Sequence, residues 1–285
     1  MSFYVSALTL GLAFFSLCLG IFISLKIFNI PDITTDGSYT LGAAVTAICL
    51  TNQVSLPITF LLVICSGAIA GLITAFITTK FKINALLAGI LVMTALYSVN
   101  LKILGRSNVP LIDVQNIFNW NENKFLAELT ILSLAVAVLI LFFSWLLKTD
   151  FGLTMQATGV NETMVKSIGS NPNKIKIIGL AISNSLVALS GFFIAQLQGF
   201  ADINMGIGIV IMGLGSVMIG DAFSTLFQIN SIGAKIVMVL VGAILFRILL
   251  AFALSVGVDP VWLKLITAVF VLIVVAIPTF KLKTS

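Results

Sequence analysis

The sequence predicts an all-α, polytopic membrane protein with about nine transmembrane helices. Of its 285 residues, 60% are hydrophobic and 9% are charged, whereas soluble domains are roughly half apolar and a quarter charged. The mean hydropathy is +1.20. The apolar residues form runs long enough to cross a hydrocarbon core of about 30 Å, which takes about 20 residues per helix. We therefore predict a single transmembrane domain over residues 1–285.

The apolar runs divide into two kinds when they are taken in chain order. Seven are long enough to cross, at about 5–28, 55–79, 84–100, 125–147, 175–198, 231–254 and 261–279. Two more, at about 37–51 and 204–220, are short or interrupted by glycines. Paired short segments of this kind are typical of the discontinuous helices of transporters. We interpret both as crossing segments, which gives nine.

The basic residues between the runs predict the orientation, because lysine and arginine are retained on the cytoplasmic side. If both short segments cross, one side receives most of the basic residues and the other side receives fewer, diluted by acidic residues. The N-terminus is then outside and the C-terminus inside a bacterial inner membrane. The basic side holds Lys26, Lys80, Lys82, Lys148, Lys166, Lys174, Lys176, Lys235, Lys281 and Lys283, and the other side holds Lys102, Arg106, Lys124 and Lys264 beside Asp113, Glu122, Glu128 and Asp259.

An internal repeat accompanies the two short segments. Residues 31–100 run through a polar loop, a short glycine-bearing segment, a span, a basic turn and a second span, and residues 202–278 follow nearly the same order. The predicted topology starts one copy on each side of the membrane, so the repeats would be inverted. Inverted repeats with broken helices at equivalent positions indicate a transport path near the membrane midplane.

The longest predicted cytoplasmic connection, residues 148–174, contains signals for a short helix. Asn161 can cap a helix over 162–168, Gly169 can end it, and Pro172 is a stop beyond it. Such a helix is marginal in water unless it packs against a partner. Its partner could be the helix ends of the same chain or another subunit, which exposed side chains at Met164, Val165 and Ile168 would contact.

Several stretches of this sequence resemble the permease subunits of branched-chain amino acid type ABC importers. The stretch 152–198, with ATG at 157–159 and ALSGFFIAQ at 188–196, is similar to their coupling-helix region. The stretches IPDITTDGSYTLGAAV at 30–45 and FADINMGIG at 200–208 resemble a less characterised branch that is linked to aromatic amino acids such as tryptophan. The resemblance covers nearly the whole chain.

The resemblance implies a homodimer that works with two copies of a cytoplasmic ATPase and an extracytoplasmic substrate-binding protein, which is often lipid-anchored. It implies that a coupling helix enters a cleft of the ATPase. That helix would consist of Asn161, Glu162, Thr163, Met164, Val165, Ile168 and Gly169. The chain has no GxxxxGK[ST] phosphate loop, so ATP and Mg²⁺ would bind to the partner, and this chain would bind no cofactor of its own.

Polar residues at the short segments are candidates for the translocation path. An acidic group near membrane depth is costly unless it faces water, a partner or a pathway, but such a group can equally cap a helix. Both interpretations stay open at this stage. The candidates are Asp36, Gly37, Ser38, Asn184, Asp202, Asn204 and Gly206.

Arg247 is an arginine inside the apolar run 231–254. A charge at the centre of a membrane helix costs about 2.5–3.5 kcal/mol on insertion scales. The side chain could pair with a buried carboxylate, attract the carboxylate of a substrate, or extend toward the outer headgroups, about two turns away.

The same composition argues against several other functions. The chain has no histidine, and it shows no spacing of nucleophiles or ligands that predicts a catalytic or metal site. The net charge of +5 reports orientation in a membrane lipid environment rather than a nucleic-acid partner. The sequence thus favours a transport subunit for a small organic solute over an enzyme. The alternative is an ion-coupled secondary transporter, for which inverted repeats are equally natural.

Overall fold

The computed structural model describes residues 2–112, 114–120, 123–259 and 262–281, so Asp113, Glu122 and Lys283 lie outside the described residues. The chain is almost entirely helical. Its elements are α1 (Ser2–Ile21), a π-helical segment (Phe22–Ile27), α2 (Thr34–Thr51), α3 (Leu56–Lys80), α4 (Ala85–Leu104), β1 (Asn108–Pro110), α5 (Lys124–Leu146), α6 (Asp150–Val160), α7 (Glu162–Ser167), α8 (Pro172–Gln198), β2 (Phe200–Asp202), α9 (Ile209–Leu226), α10 (Ile232–Ser255) and α11 (Leu263–Lys281).

The helices confirm an all-α polytopic membrane protein. Among the described residues, seven helices are long and apolar enough to cross a membrane: α1 with its π-helical extension, α3, α4, α5, α8, α9 and α10. Helix α2 has the length of a span but a more polar sequence, and α11 counts as a shorter apolar helix over Leu263–Val274. The total of nine therefore stays a prediction.

The two ends of the bundle are marked by different structures. Strands β1 and β2 pair antiparallel at one end, with Asn108 opposite Asp202, and we call it the strand end. Helices α6 and α7 lie at the other end, which we call the loop end. The strands could not be predicted from the sequence, because each has only three residues.

Helices α1 and α8 each pack on the group of three helices that does not directly follow them in the sequence. We call this arrangement the exchange of α1 and α8. Helices α2, α3 and α4 pack on one another, as α9, α10 and α11 do, but the first group is covered by α8 and the second by α1. Each covering helix precedes the other group in sequence. A chain built from two repeats accounts for this pattern, while the inverted relation of the repeats stays a prediction.

Glycines allow α3 and α8 to approach until their backbones touch. A Cβ atom on Gly67 would lie 2.6 Å from the Asn184 carbonyl oxygen, and one on Gly71 would lie 2.2 Å from that of Leu180. These distances are below van der Waals contact. This Gly-x-x-x-Gly pair is therefore a packing face, as is common on membrane helices.

Candidate functional site

Helices α2 and α9 both begin in the interior of the bundle. Asn184, the partner of Ser38 in the second turn of α2, is the thirteenth residue of the 27-residue helix α8 and so lies near its midpoint. From there α2 runs to the strand end, where its alanines pack against β1 and β2. Helix α9 runs the other way, because its Asp221 accepts a hydrogen bond from Lys26 at the loop end.

The structure corrects the position of the predicted helix breaks. Helices α2 and α9 are continuous over 18 residues each. The irregular backbone precedes them, at residues 28–33 and 203–208. Gly206 and Gly208 lie in the second of these segments, and Gly208 has a φ of +83°, which an L side chain rarely adopts. The helices therefore start late rather than break.

Asp36 joins the two helix starts. It lies in the first turn of α2, and its carboxylate accepts hydrogen bonds from the backbone N–H groups of Gly208 at 3.0 Å and Val210 at 2.8 Å. Gly208 directly precedes α9 and Val210 lies in its first turn, where backbone N–H groups have no acceptor within the helix. A negative charge is also favourable at the positive end of the helix dipole. Asp36 therefore caps α9 from another helix.

Asp32, Ser38 and Asn184 form a second group, buried between α2 and α8. The Asn184 amide donates to the Asp32 carboxylate at 2.7 Å, and its oxygen accepts from the Ser38 hydroxyl at 2.6 Å. Asp32 also accepts from the Thr34 N–H at 2.9 Å. Every member of this group has a hydrogen-bond partner, which is what a buried polar network requires.

A cavity of about 360 Å³ lies beside the helix starts, and we call it the Asp36 cavity. Its lining residues are Asp36, Gly37, Thr40, Met93, Thr94, Tyr97, Asn100, Ile203, Gly206 and Ile207. Asn100 is 1% exposed; its amide donates to the Gly37 carbonyl oxygen at 3.1 Å, but its own oxygen has no partner in the described structure. Asn100 could not be selected from its sequence position, because a polar residue near the end of a span is common.

Arg247 lies on a different cavity, of about 340 Å³, which we call the Arg247 cavity. It is lined by Tyr39, Gln198, Phe200, Asp202, Asn204, Met205, Ile209, Met212 and Arg247. The Arg247 guanidinium carbon lies 4.1 Å from the centre of the Phe14 ring. That contact is within cation–π range.

The predicted site residues thus fall into three separate groups. Asp36, Gly37 and Gly206 line the Asp36 cavity. Ser38 and Asn184 belong to the buried group with Asp32. Asp202 and Asn204 line the Arg247 cavity, where the Asp202 carboxylate also accepts from the Asn204 N–H at 2.8 Å. Tyr39 and Gln198 complete that cavity and were missed, since neither is unusual in its own segment.

The connection at the loop end is more ordered than the sequence predicted. Helix α6 occupies the first half of this connection and was not predicted from the sequence. The N-terminus of α6 is capped by the Thr149 hydroxyl, which accepts a hydrogen bond from the Gly152 N–H at 3.4 Å. Pro172, predicted as a stop, is the first residue of α8. A proline is tolerated there because the first turn has no use for its missing N–H.

Helix α7 forms as predicted but ends at Ser167, with Asn161 as its cap. The Asn161 oxygen accepts from the N–H groups of Thr163 at 3.0 Å and Met164 at 3.1 Å. Met164 and Ile168 are 52% and 64% exposed, whereas Val165 is fully buried. The prediction of an exposed Val165 is wrong because residues 164 and 168 share one helix face and 165 lies about 100° away.

Glu162 is held by an ion pair to Lys176 of α8. This contact fixes the first turn of α7 against the start of α8, so that the face with Met164 and Ile168 points away from the chain. Val160, at the end of α6, is a further exposed apolar side chain of this connection, at 89%. We call the exposed side chains of Met164 and Ile168 the α7 surface.

The chain is similar to known transport permeases over nearly all of its length. Residues 3–276 match the family described as the permease component of branched-chain amino acid transport systems. A tyrosine transport system permease protein of Clostridioides difficile (strain R20291) is 42% identical over 272 residues, which cover 95% of this chain and 90% of that protein. A galactofuranose transporter permease protein of Escherichia coli (strain K12) is 28% identical, over 72% of this chain and 62% of that one.

A solved structure shares the fold. PsaBC from Streptococcus pneumoniae, in complex with Fab, matches with a TM-score of 0.54 at 15% identity, over 95% of this chain and 89% of that one. The chain belongs to the family of permease components of branched-chain amino acid transport systems. It is therefore a membrane subunit of an ABC importer rather than its ATPase, and the resemblance deduced from the sequence is confirmed.

Proposed function

We propose that this chain forms, as a homodimer, the translocation path of an ATP-driven importer for an amino acid. A cytoplasmic ABC ATPase dimer, with ATP and Mg²⁺ bound to it, would drive the transport. A substrate-binding protein on the outer side would deliver the amino acid. In this arrangement the chain is a multi-pass protein of the bacterial inner membrane, with its N-terminus outside, its C-terminus inside and its outer helix faces against lipid.

The observation that carries the coupling role is the α7 surface. Met164 and Ile168 are apolar, adjacent and exposed at the loop end, on a helix of six residues that could not persist in water without the rest of the chain. The Asn161 cap and the Glu162–Lys176 ion pair hold this helix in place. A short, rigid, apolar projection outside the membrane is suited to entering a cleft of another subunit.

An amino acid is favoured as the substrate by sequence similarity. The relative named for tyrosine transport is 42% identical to this chain, and the one named for galactofuranose is 28% identical. Membership of an ABC importer family also supports ATP-driven import over the ion-coupled alternative. A branched-chain amino acid would fit the family description, and an aromatic one would fit the tyrosine relative.

Co-purification tests the coupling role. The chain is isolated from its native membrane in mild detergent, and the co-purifying proteins are identified by mass spectrometry. Fully burying a side chain of this size contributes about 1.5–3 kcal/mol. Burying the exposed halves of Met164 and Ile168 would contribute about 2–4 kcal/mol together. Met164→Asp with Ile168→Asp should therefore weaken ATPase binding about 30-fold or more.

The control variant is Ile112→Asp, which changes a side chain that is 73% exposed near the strand end and should leave the ATPase bound. Substitution of Glu162 is a poorer test, because it also breaks the ion pair to Lys176. If no ATPase accompanies the native chain, or if the double variant retains it as well as Ile112→Asp does, the proposed coupling role is wrong.

A further inference from the structure

No carboxylate of the described residues lies within ion-pair distance of Arg247. Its Nε atom is buried without a hydrogen-bond partner in the described structure. The ion pairs found among the described residues are Lys26–Asp221 and Lys176–Glu162, both at the loop end. The Arg247 guanidinium lies instead over the face of the Phe14 ring. A charge on a membrane helix is costly and usually marks a functional group, and within the described part of the chain Arg247 has no ion-pair partner.

The Arg247 cavity also holds a carboxylate, that of Asp202, which does not lie within ion-pair distance of the guanidinium. Each oxygen of the Asp202 carboxylate accepts one hydrogen bond, Oδ2 from the Asn108 amide at 3.2 Å and Oδ1 from the Asn204 N–H at 2.8 Å. A carboxylate has about four acceptor positions, so capacity for a further donor is left. One cavity therefore presents a cation and an anion that are kept apart.

Apart from the polar side chains of Gln198 and Asn204, the rest of the cavity wall is apolar or aromatic. Met205, Met212 and Tyr39 line it, with a volume of about 340 Å³, at the lower end of the roughly 300–1,000 Å³ typical of small-molecule sites. Methionine side chains adapt well to flat rings, and their sulfur atoms make favourable contacts with aromatic groups. A small ligand with two opposite charges and an apolar side chain matches this distribution.

We propose that the Arg247 cavity is a binding site for the transported amino acid as its zwitterion. The Arg247 guanidinium takes the α-carboxylate, for which its planar fork of donors is suited. The Asp202 carboxylate takes the α-ammonium group, and the side chain of the substrate lies against Met205, Met212 and Tyr39. The assignment rests on the proposed function, since it takes the transported solute to be an amino acid.

Ligand protection of a cysteine in the cavity tests the site without the binding protein. Cys18, Cys49 and Cys65 are first replaced by alanine, and Asn204→Cys then places a thiol at an exposed position of the cavity wall. The purified complex is reacted with a water-soluble maleimide, and labelling at position 204 is followed by mass spectrometry. The probes are L-tyrosine, tyramine, which lacks the carboxylate, and 3-(4-hydroxyphenyl)propionate, which lacks the ammonium group. Asn52→Cys, exposed at the far end of α2, is the control thiol.

L-tyrosine should protect position 204 at concentrations at least about tenfold below those of either analogue, because each analogue loses a charge-assisted contact. Arg247→Gln should make tyrosine and tyramine equally effective, and Arg247→Lys should restore part of the difference. Asp202→Asn should equalise tyrosine and the propionate. A ratio between two probes in one variant is insensitive to a general loss of packing, so a purely structural role of Arg247 would leave the ratio unchanged.

The inference is overturned if tyrosine gives no protection, if tyramine protects equally well in the native cavity, or if the Arg247→Gln variant keeps the tenfold preference. Slower labelling with vesicles of anionic lipid, but not with tyrosine, would instead assign the cavity to a lipid headgroup. These outcomes are separate from those of the co-purification experiment. An intact complex with its ATPase, but without tyrosine protection, would retain the coupling role and remove the binding site.

Discussion

Removing the Asp36 carboxylate should destabilise the start of α9 and, with it, the whole helix bundle. Both carboxylate oxygens accept backbone N–H groups, at 3.0 Å and 2.8 Å. Hydrogen bonds to charged groups contribute about 1.5–3 kcal/mol each in soluble proteins, while polar contacts between membrane helices average about 0.6 kcal/mol and reach about 1.7. The loss of favourable charge at the helix N-terminus adds about 0.3–1 kcal/mol. We expect Asp36→Ala to lower the free energy of unfolding by about 2–4 kcal/mol.

The Asp36→Asn variant separates the charge from the shape of the side chain. An asparagine amide keeps one oxygen but turns an NH₂ group toward the other backbone N–H, so that two donors face each other. The free energy of unfolding of Asp36→Asn should lie between that of the native chain and that of Asp36→Ala. Equilibrium unfolding of the purified chain by SDS in mixed micelles measures the three values, and amide exchange at residues 208–210 should be faster in both variants.

The matched control is Asp221→Asn, which removes a carboxylate from the same protein at a half-exposed ion pair with Lys26. Such a pair contributes about 0–1 kcal/mol. If Asp36→Ala lowers the free energy of unfolding by no more than Asp221→Asn does, the conclusion that Asp36 caps α9 is refuted.

Three further substitutions should change the stability of the chain or the amide exchange of a helix by amounts that follow from the contacts they remove or obstruct. Gly42→Ala should cost at least about 2 kcal/mol of unfolding free energy, because its Cβ atom would lie 2.0 Å from the Ala188 carbonyl oxygen. Asn184→Leu should cost about 2–4 kcal/mol in the same SDS assay, because it leaves the buried carboxylate of Asp32 without its amide donor. Asn161→Ala should increase amide exchange in α7 roughly fivefold, as expected for the loss of a cap of about 1 kcal/mol.

The glycine and the cap substitutions each have a control within the chain. Gly233→Ala changes a helical glycine that faces the Ser144 side chain at 3.1 Å instead of a backbone, and it should be tolerated. Asn171→Ala removes the equivalent cap of α8 and should leave exchange in α7 unchanged. A Gly42→Ala variant as stable as Gly233→Ala, or an Asn161→Ala variant with native exchange, would contradict the corresponding argument.

The parts of the fold that local chemistry determines could be predicted from the sequence. Apolar runs gave the positions of the spans, and Asn161 with Gly169 gave α7. Helix α6 was missed because Gly152 and Gly159 lower helix propensity. In the structure these two glycines are needed for contact, since a Cβ on Gly159 would lie 1.9 Å from the Ile27 carbonyl oxygen.

The candidate sites could be predicted only in part, because their contacts join distant residues. Asp36 and Gly208 are 172 positions apart, and no local pattern in either segment indicates that one caps the other. Arg247 stood out as a charge in an apolar run, but its stacking on Phe14 of α1 and its place on a cavity with Asp202 depend on how α1, α8 and α10 pack. The charge of Arg247 could be located from the sequence, but the residues that surround it could not.

The exchange of α1 and α8 between the two groups of helices sets an order for biosynthesis. Helix α1 ends at Ile21, and its main partner α10 begins only at Ile232. At about 5–20 residues per second of synthesis, the first helix waits about 10–40 s in the bilayer before that partner exists. Helix α8, in contrast, finds α2 and α3 already inserted. Assembly should therefore proceed from the first group of helices outward, and any chain truncated before α10 leaves α1 without its main partner and open to degradation.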